Sequence, residues 1–435
     1  MGIIALAALL TLETLFLVWS IAARNNHTEE KGITSIGILA LFGLLLGTGI
    51  FEWSFRYIAL FAVLAAQAVV SIVRIVRKRE KREQTYRLRS IIFRFVGNCV
   101  VFSLALAIAI LCPQYQQPEM TGKHDVATAK YTWIDSNRVD ELTGYGDGRA
   151  LTVEFWYPDT ADERYPLVVF SHGAFGFSGS NYSTCVELAS NGYVVASIGH
   201  TNQAFYTMDT EGKLTIADPE FINEASQINS LHDTTQEEGI YATTKDWMEL
   251  RTADMDFVID TIIHECERAE HDALFSIIDS GRIGLMGHSL GGATSAQIGR
   301  TRDDIDAVIV LDGTMLGEEV AFEDDGVVLN DTPYPIPLLN IYAEDHYTSS
   351  KELVGDAYNN FHATQNAVCA SETVFRGAGH LNFTDLPLFS PVLAQTLGVG
   401  TVDASYCIET MNRVVLEYFD CYLKDIGEPK IEREY

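Results

Sequence analysis

The distribution of apolar positions splits the chain near residue 112. Before that point, residues 3–22, 33–51, 54–76 and 91–112 form four near-continuous apolar runs. Each is close to the roughly 20 residues that cross about 30 Å of hydrocarbon, so each predicts a membrane-spanning helix. A short turn around Glu52 and Trp53 separates the second run from the third, and Pro113 stops the fourth. The first run lacks a basic leading segment and a small-residue cleavage site, and three more runs follow it. A span is therefore favoured over a signal peptide.

Beyond Pro113 the pattern changes. Short β-rich runs at 150–156, 166–171, 193–198, 282–286, 306–311, 337–342 and 372–376 alternate with helical stretches near 180–191, 245–267, 290–300, 350–362 and 404–424. Several of the strands are almost wholly apolar, as strands buried on both faces of a parallel sheet must be. This alternation predicts a mostly parallel α/β sheet with helices on both faces. Residues 201–244 are polar and acidic without a clear period, and are expected to form a lid or a disordered loop. The expected organisation is an all-α transmembrane region of about four helices over 1–112, a linker over 113–130 and a globular domain over 131–435.

Charge sharpens this division. The 435 residues carry 30 Lys+Arg against 59 Asp+Glu, a net −29. Residues 1–112 have a balance of +6, whereas residues 113–435 have a balance of −35. So acidic a domain offers no basic face for phosphates, which argues against a nucleic-acid partner. The basic residues of the first region crowd into the loop 74–90, with Arg74, Arg77, Lys78, Arg79, Lys81, Arg82, Arg87 and Arg89. A short loop this basic stays in the cytoplasm. The fourth span then runs outward, and the expectation is a multi-pass cell-membrane protein whose globular domain is extracytoplasmic.

Metal chemistry finds little support. The seven cysteines include no CxxC pair, and His264-Glu265-Cys266 with His271 lacks the spacing of a zinc helix. The acidic pairs Asp303/Asp304 and Asp324/Asp325 lack the spacing of a calcium loop. No metal and no cofactor is expected.

The chemistry lies in Gly287-His288-Ser289-Leu290-Gly291, a G-x-S-x-G. It follows the strand RIGLM and opens the helix GGATSAQIGR, which is the strand–turn–helix setting of a nucleophile elbow in an α/β-hydrolase fold. A serine nucleophile needs a histidine base, and that histidine must be oriented by a carboxylate. In the chain order Ser, acid, His, the histidine follows the last strand. His380 in RGAGHLNFTD does so, whereas His346 sits beside an earlier strand end and His362 in a helical stretch. The acid has two placements: Asp312 ends the strand after the elbow, while Glu344 and Asp345 end the next one. Both strand ends lie on one side of the sheet, so spacing leaves the choice open, and the general hydrolase pattern favours the later position. An oxyanion hole needs two backbone N–H groups. Leu290 supplies one, and Ala174, in the loop Ser171–Gly176 after the strand PLVVFS, the other. His172 in that loop is expected to support it rather than to act as a base.

The runs FSHGAFG, LASNGYVVASIGH, LRTADMDFVIDTI, IGLMGHSLGGATSAQ, VIVLDGTMLGEEV, PLLNIYAED and GAGHLNFTDLPLF resemble the secreted, plasma-type platelet-activating-factor acetylhydrolases. Bacterial relatives of that family are often labelled predicted dienelactone hydrolases. The resemblance covers roughly residues 131–425 and leaves the four apolar runs untouched. It implies an LDxxM setting for the acid, which selects Asp312 in Leu311-Asp312-Gly313-Thr314-Met315 over Asp345. It further implies an esterase or lipase using Ser289, Asp312 and His380, acting on phospholipids with short or oxidised acyl chains and on small esters. A polyester substrate and a non-catalytic, hydrolase-like sensor module are the alternatives. Residues 201–244 do not match the family's corresponding segment, so acyl length, like oligomeric state, is left open.

Overall fold

The computed structural model describes residues 1–77, 86–115, 117–139, 148–160, 163–230, 238–268, 272–324 and 326–435. Of the residues singled out above, Lys78, Arg79, Lys81, Arg82, His271 and Asp325 lie outside them. The chain divides into two compact units, residues 1–116 with 388–396, and residues 117–387 with 397–435.

The first unit contains α1 (Gly2–Ala22), α2 (Thr28–Gly47), α3 (Phe55–Val76) and α4 (Leu88–Leu111). All four are long and apolar enough to cross a membrane. The second starts five residues before its apolar run and stops four residues before that run's end. Glu29 and Glu30 fill its first turn, where the helix dipole favours negative charge, and Gly49, at φ +75°, follows its end. Phe42, Phe51, Tyr57, Leu60, Leu64, Phe102 and Leu106 pack into one cluster between the helices. Leu15, Leu44, Val69, Phe93 and Leu104 face outward, as side chains in contact with lipid would. Near the midpoints of α1 and α4, Asn98 donates a hydrogen bond to Glu13 at 2.9 Å. Hydrocarbon offers such groups no other partner. Arg56 Nε donates to the Cys112 carbonyl at 2.8 Å just beyond α4. Residues 388–396 belong to this unit through Phe389, stacked on Phe55, and Ser390, whose hydroxyl donates to the Leu111 carbonyl.

In the second unit the chain runs through β1 (Val126–Val139), β2 (Gly148–Pro158), β3 (Tyr165–Ser171), α5 (Tyr182–Ser190) and β4 (Val194–Gly199). It continues through β5 (Tyr206–Met208), β6 (Leu214–Ile216), α6 (Pro219–Ser230), α7 (Glu238–Glu267), α8 (Ala273–Ser276), β7 (Ile278–His288) and α9 (Leu290–Thr301). Then follow β8 (Ala307–Leu311), β9 (Glu319–Glu323), β10 (Gly326–Leu329), β11 (Leu338–Ala343), α10 (Glu344–Leu353), α11 (Asn359–Asn366) and β12 (Ala370–Phe375). The chain closes with α12 (Leu386–Phe389), α13 (Pro391–Thr396) and α14 (Ala404–Lys424), of which α13 lies in the first unit and α12 straddles the boundary.

Eight strands form one sheet in the order β1-β2-β4-β3-β7-β8-β11-β12. Only β2 runs against the others, so the sheet is mostly parallel. Val153, Phe155, Leu167, Val169 and Ala196 of the sheet pack on Met255, Val258, Ile259 and Ile262 of α7. The α/β-hydrolase fold expected from the alternation of strands and helices is present.

Three local readings change. The 14-residue β1 is half-polar and only partly buried, so it gives no apolar run for a sequence to show. The helical stretch near 350–362 is α10 and α11, with Gly355 at φ +68° between them. Residues 201–244 are not a structureless loop: they hold the β5–β6 hairpin, α6 and the start of α7.

Candidate active site

The parallel strands β3, β7, β8, β11 and β12 end on one edge of the sheet, and the candidate residues follow those ends. Ser289 sits between β7 and α9 with φ +55° and ψ −126°, a conformation that costs an L-residue strain. Two glycines make the turn possible. A Cβ on Gly287 would fall 2.1 Å from the Gly291 carbonyl oxygen, and one on Gly291 would fall 2.0 Å from that of Ser171. The Ser289 N–H donates to the Leu311 carbonyl at 2.9 Å, which ties the elbow to the end of β8.

Asp312 follows β8 and is buried. Its Oδ1 accepts the Ala343 N–H at 2.7 Å and His346 Nδ1–H at 2.9 Å, and its Oδ2 accepts His380 Nδ1–H at 2.6 Å. Burial pushes this carboxyl up, but the two imidazoles more than reverse that and hold it well below the usual carboxylate range. Both other acid candidates are engaged elsewhere. Glu344 accepts from Arg376 and the Gly377 N–H, each at 2.6 Å, and Asp345 is exposed and takes the His346 N–H at 2.8 Å.

Two histidines thus touch Asp312, and their other nitrogens separate them. His346 Nε2 is already taken by the Tyr358 hydroxyl at 2.8 Å. The His380 side chain is 42% exposed, and its Nε2 makes no hydrogen bond among the described residues. Among the described residues no hydrogen bond joins Ser289 Oγ to it, and a serine–histidine contact of this kind commonly tightens only in the substrate complex. The turn that carries His380 is fixed by Asn382, whose Oδ1 accepts the Gly379 and Gly400 N–H groups at 2.9 and 2.8 Å.

His288, inside the elbow motif, is a partner the sequence reading passed over. Its ring lies 4.5 Å from that of His380, and its Nε2–H donates to the His380 carbonyl at 3.0 Å. Burial and the neighbouring His380 pull it down to about 3, so it stays a neutral donor.

Ala174 and Leu290 are both buried, and neither backbone N–H finds an acceptor among the described residues. Buried amides are normally paired, so two free ones flanking a serine fit a site for a developing negative charge. The loop bearing Ala174 is held from behind. Arg251 donates to the His172 carbonyl at 2.8 Å, and His172 Nδ1–H donates to the Gly173 carbonyl at 2.7 Å. His172 is neutral, its basicity lowered chiefly by burial and by Arg251, and it supports the loop.

Arg251 itself is wholly buried, drawn down to about 9 by that burial, and bound to Gln203. One turn along α7, Asp254 accepts from Arg149 at 2.6 and 2.8 Å and from His200 Nδ1–H at 3.0 Å. The far side of that ring, Nε2, meets the Ser171 hydroxyl at 2.9 Å. None of this network was legible as chemistry beyond the run LRTADMDFVIDTI.

Residues 155–427 match the family described as "Platelet-activating factor acetylhydrolase, isoform II". The chain belongs to this platelet-activating factor acetylhydrolase family. Among curated relatives, the platelet-activating factor acetylhydrolase of Cavia porcellus is 24% identical over 61% of this chain and 59% of its own length. That of Canis lupus familiaris is 24% identical over 63% of this chain and 61% of its own. The chain therefore spans about three-fifths of the length of these relatives. A solved ferulic acid esterase from Streptomyces cinnamoneus superposes with a TM-score of 0.56 at 21% identity, over 72% of this chain and 95% of that one. At such identity the likeness shows the hydrolase fold alone. Among the described residues no cluster of side chains could hold a metal ion.

Proposed function

We propose that this acetylhydrolase-family chain is a membrane-anchored serine esterase with Ser289, His380 and Asp312 as its triad. One observation carries the reading: an elbow serine, a histidine bound to a buried carboxylate at 2.6 Å, and two unpaired amides meet at one sheet edge. As Ser289 Oγ attacks the ester carbon, His380 Nε2 takes its proton, and the amides of Ala174 and Leu290 receive the charge on the carbonyl oxygen. The imidazolium then protonates the departing alcohol. A water molecule repeats the sequence on the acyl-enzyme and returns the serine. Asp312 holds His380 in the tautomer with the proton on Nδ1, and no metal or cofactor takes part.

Phospholipids with short or oxidised acyl chains, and small esters, are the proposed substrates; the relatives' names describe an acetylhydrolase of platelet-activating factor. The wall beside the two amides supports a short acyl group, because Phe221, Ala225, Trp247 and Met248 from α6 and α7 pack directly on Ala174, Leu290 and Ala293. The four long apolar helices support a multi-pass anchor, and the basic loop 74–90 supports an extracytoplasmic site. The test is hydrolysis of p-nitrophenyl acetate and butyrate by the full chain in detergent, together with labelling by a fluorophosphonate. Turnover and labelling that both vanish in Ser289→Ala support the reading, and a chain that does neither is a binding module.

A further inference from the structure

The β5–β6 hairpin is built inside out. Its register sets Tyr206 opposite Ile216, Thr207 opposite Thr215 and Met208 opposite Leu214. Side chains alternate across a strand, so the threonine pair shares one face and the four apolar residues share the other. The threonine face is the one turned inward. Thr207 is buried, close enough to the end of β4 that a Cβ on Gly199 would sit 3.1 Å from its methyl group. The apolar face looks outward, with Met208 45%, Leu214 60% and Ile216 65% exposed, and Phe205 beside it 63% exposed. Hairpins that pack on a domain in water show the reverse pattern.

This face runs on to the loop that carries Ala174. The Phe205 N–H donates to the Gly176 carbonyl at 2.7 Å, Tyr206 stacks on Phe177 at 5.1 Å, and Phe175 is exposed beside them. An exposed apolar patch at the edge of a site marks a docking surface. Two features select its occupant. The helix α4 ends at Leu111, and Thr121 is already hydrogen-bonded to Glu187 of the second unit. A tether of those ten residues reaches at most about 35 Å, which keeps any bilayer holding α4 at high effective concentration. The dimensions also fit. Three-residue strands extend about 10 Å, enough for the boundary between headgroups and acyl chains and far too little to span. The turn residues Asp209, Glu211 and Lys213 would stay among the headgroups.

We propose that the outward face of this hairpin, with Phe205 and Phe175, docks on the surface of the bilayer that anchors the chain. Lipid esters then enter the Ser289 site from the membrane rather than from water. This rests on the anchored-esterase reading above. With no basic cluster at the turn, the contact is made by apolar burial and is insensitive to salt.

The test uses the full-length chain, one copy per phosphatidylcholine nanodisc. Substrates are water-soluble p-nitrophenyl butyrate and a short-acyl fluorogenic phosphatidylcholine embedded in the disc. The variant Met208→Ser/Leu214→Ser/Ile216→Ser should keep soluble-ester kcat/KM within about twofold. It should lose about tenfold or more on the embedded ester, at low and at molar salt alike, because each apolar side chain withheld from lipid weakens docking. A fluorophore on Leu214→Cys, in a Cys369→Ser background, should be quenched by brominated phosphatidylcholine, a readout that needs no activity. Equal loss on both substrates, no loss on either, or an unquenched fluorophore overturns the proposal. So does a wild-type advantage that appears only with two chains per disc, which assigns the face to a second copy. Soluble-ester turnover surviving in Ser289→Ala would instead remove the serine reading and leave the quenching result standing.

Discussion

Ser171, His200 and Asp254 are hydrogen-bonded in the order that the proposed triad Ser289, His380 and Asp312 requires, serine to Nε2 and Nδ1 to carboxylate. The two chains of residues lie in one unit, separated by the loop that offers the Ala174 amide. Composition does not distinguish them. Their surroundings do: every member of the first set is wholly buried, Ser171 at the end of β3 has no strained elbow, and Arg149 saturates Asp254 from the other side. Around Ser289 the backbone is strained, the histidine is exposed and two amides have no acceptor among the described residues. A Ser–His–Asp string is therefore a building material, used here once to hold a loop and once, on our proposal, to break an ester.

The largest expected effect separates the two serines. Ser289→Ala should lower esterase kcat/KM by about 10⁴ or more, since triad members act as a unit. Ser171→Ala should leave turnover within a few-fold and cost stability on the order of 1 kcal/mol, the net worth of one buried hydrogen bond. Kinetics and thermal melts of the two variants in one detergent decide it. Comparable activity losses would mean that the buried string takes part in the chemistry.

The carboxylates come next. Asp312→Asn should cost near 10⁴ in kcat, because the amide favours the wrong tautomer of His380. Asp345→Asn should cost little, since among the described residues Asp345 reaches only the His346 backbone. A crippled Asp345→Asn enzyme beside a near-normal Asp312→Asn enzyme would move the acid one strand later.

How far the sequence foretold these sites follows from what each signal depends on. The elbow was legible because its glycines are demanded within five consecutive residues, and His380 because chain order places it after the last strand. Spacing alone left Asp312 level with Glu344 and Asp345, and only the resemblance chose between them. The structure adds a physical reason, the commitment of Glu344 to Arg376 and Gly377. The buried string escaped notice because Ser171, His200 and Asp254 come from three elements far apart in the chain. The inverted hairpin escaped because Tyr-Thr-Met and Leu-Thr-Ile show alternation without showing which face turns inward. The short alternating strands were also too brief to stand out from a polar, acidic stretch.

A smaller effect is read from pH. Burial first, aided by Arg251 for His172 and His200 and by His380 for His288, holds His200 and His288 at about 3 and His172 well below 6.5. Unfolded imidazoles take a proton near 6.5, so between about 6.5 and 3 the unfolded chain binds more protons than the folded one. Stability from these groups is complete above the unfolded value and drains away as pH falls below it, for His200 and His288 through that window by about 1.4 kcal/mol per unit each. His200→Asn should make the fall in thermal midpoint below pH 6.5 shallower by one proton, whatever it does to the midpoint at neutral pH. An unchanged slope would mean that His200 is charged in the folded chain.

The smallest expected effect tests the second histidine on Asp312. His346 Nδ1–H shares Oδ1 with the Ala343 N–H, while its Nε2 accepts from Tyr358, whose hydroxyl also meets Thr314 at 3.0 Å. In this arrangement His346 steadies the carboxylate, and both of its ring nitrogens are engaged. Replacing it by Ala removes one of the two donors on Oδ1, and a hydrogen bond of this kind is worth roughly 0.5–1.5 kcal/mol, or about 2-fold to 13-fold in kcat/KM. Asp312, with less of its charge shared out, should then hold the imidazolium of His380 more tightly. The acid limb of the pH profile should therefore move to higher pH even as the plateau drops. Tyr358→Phe, which keeps the ring and removes only the hydroxyl, should shift the limb in the same direction by less. A 10⁴-fold collapse in His346→Ala, with His380→Ala still active, would exchange the two histidines and make His346 the base.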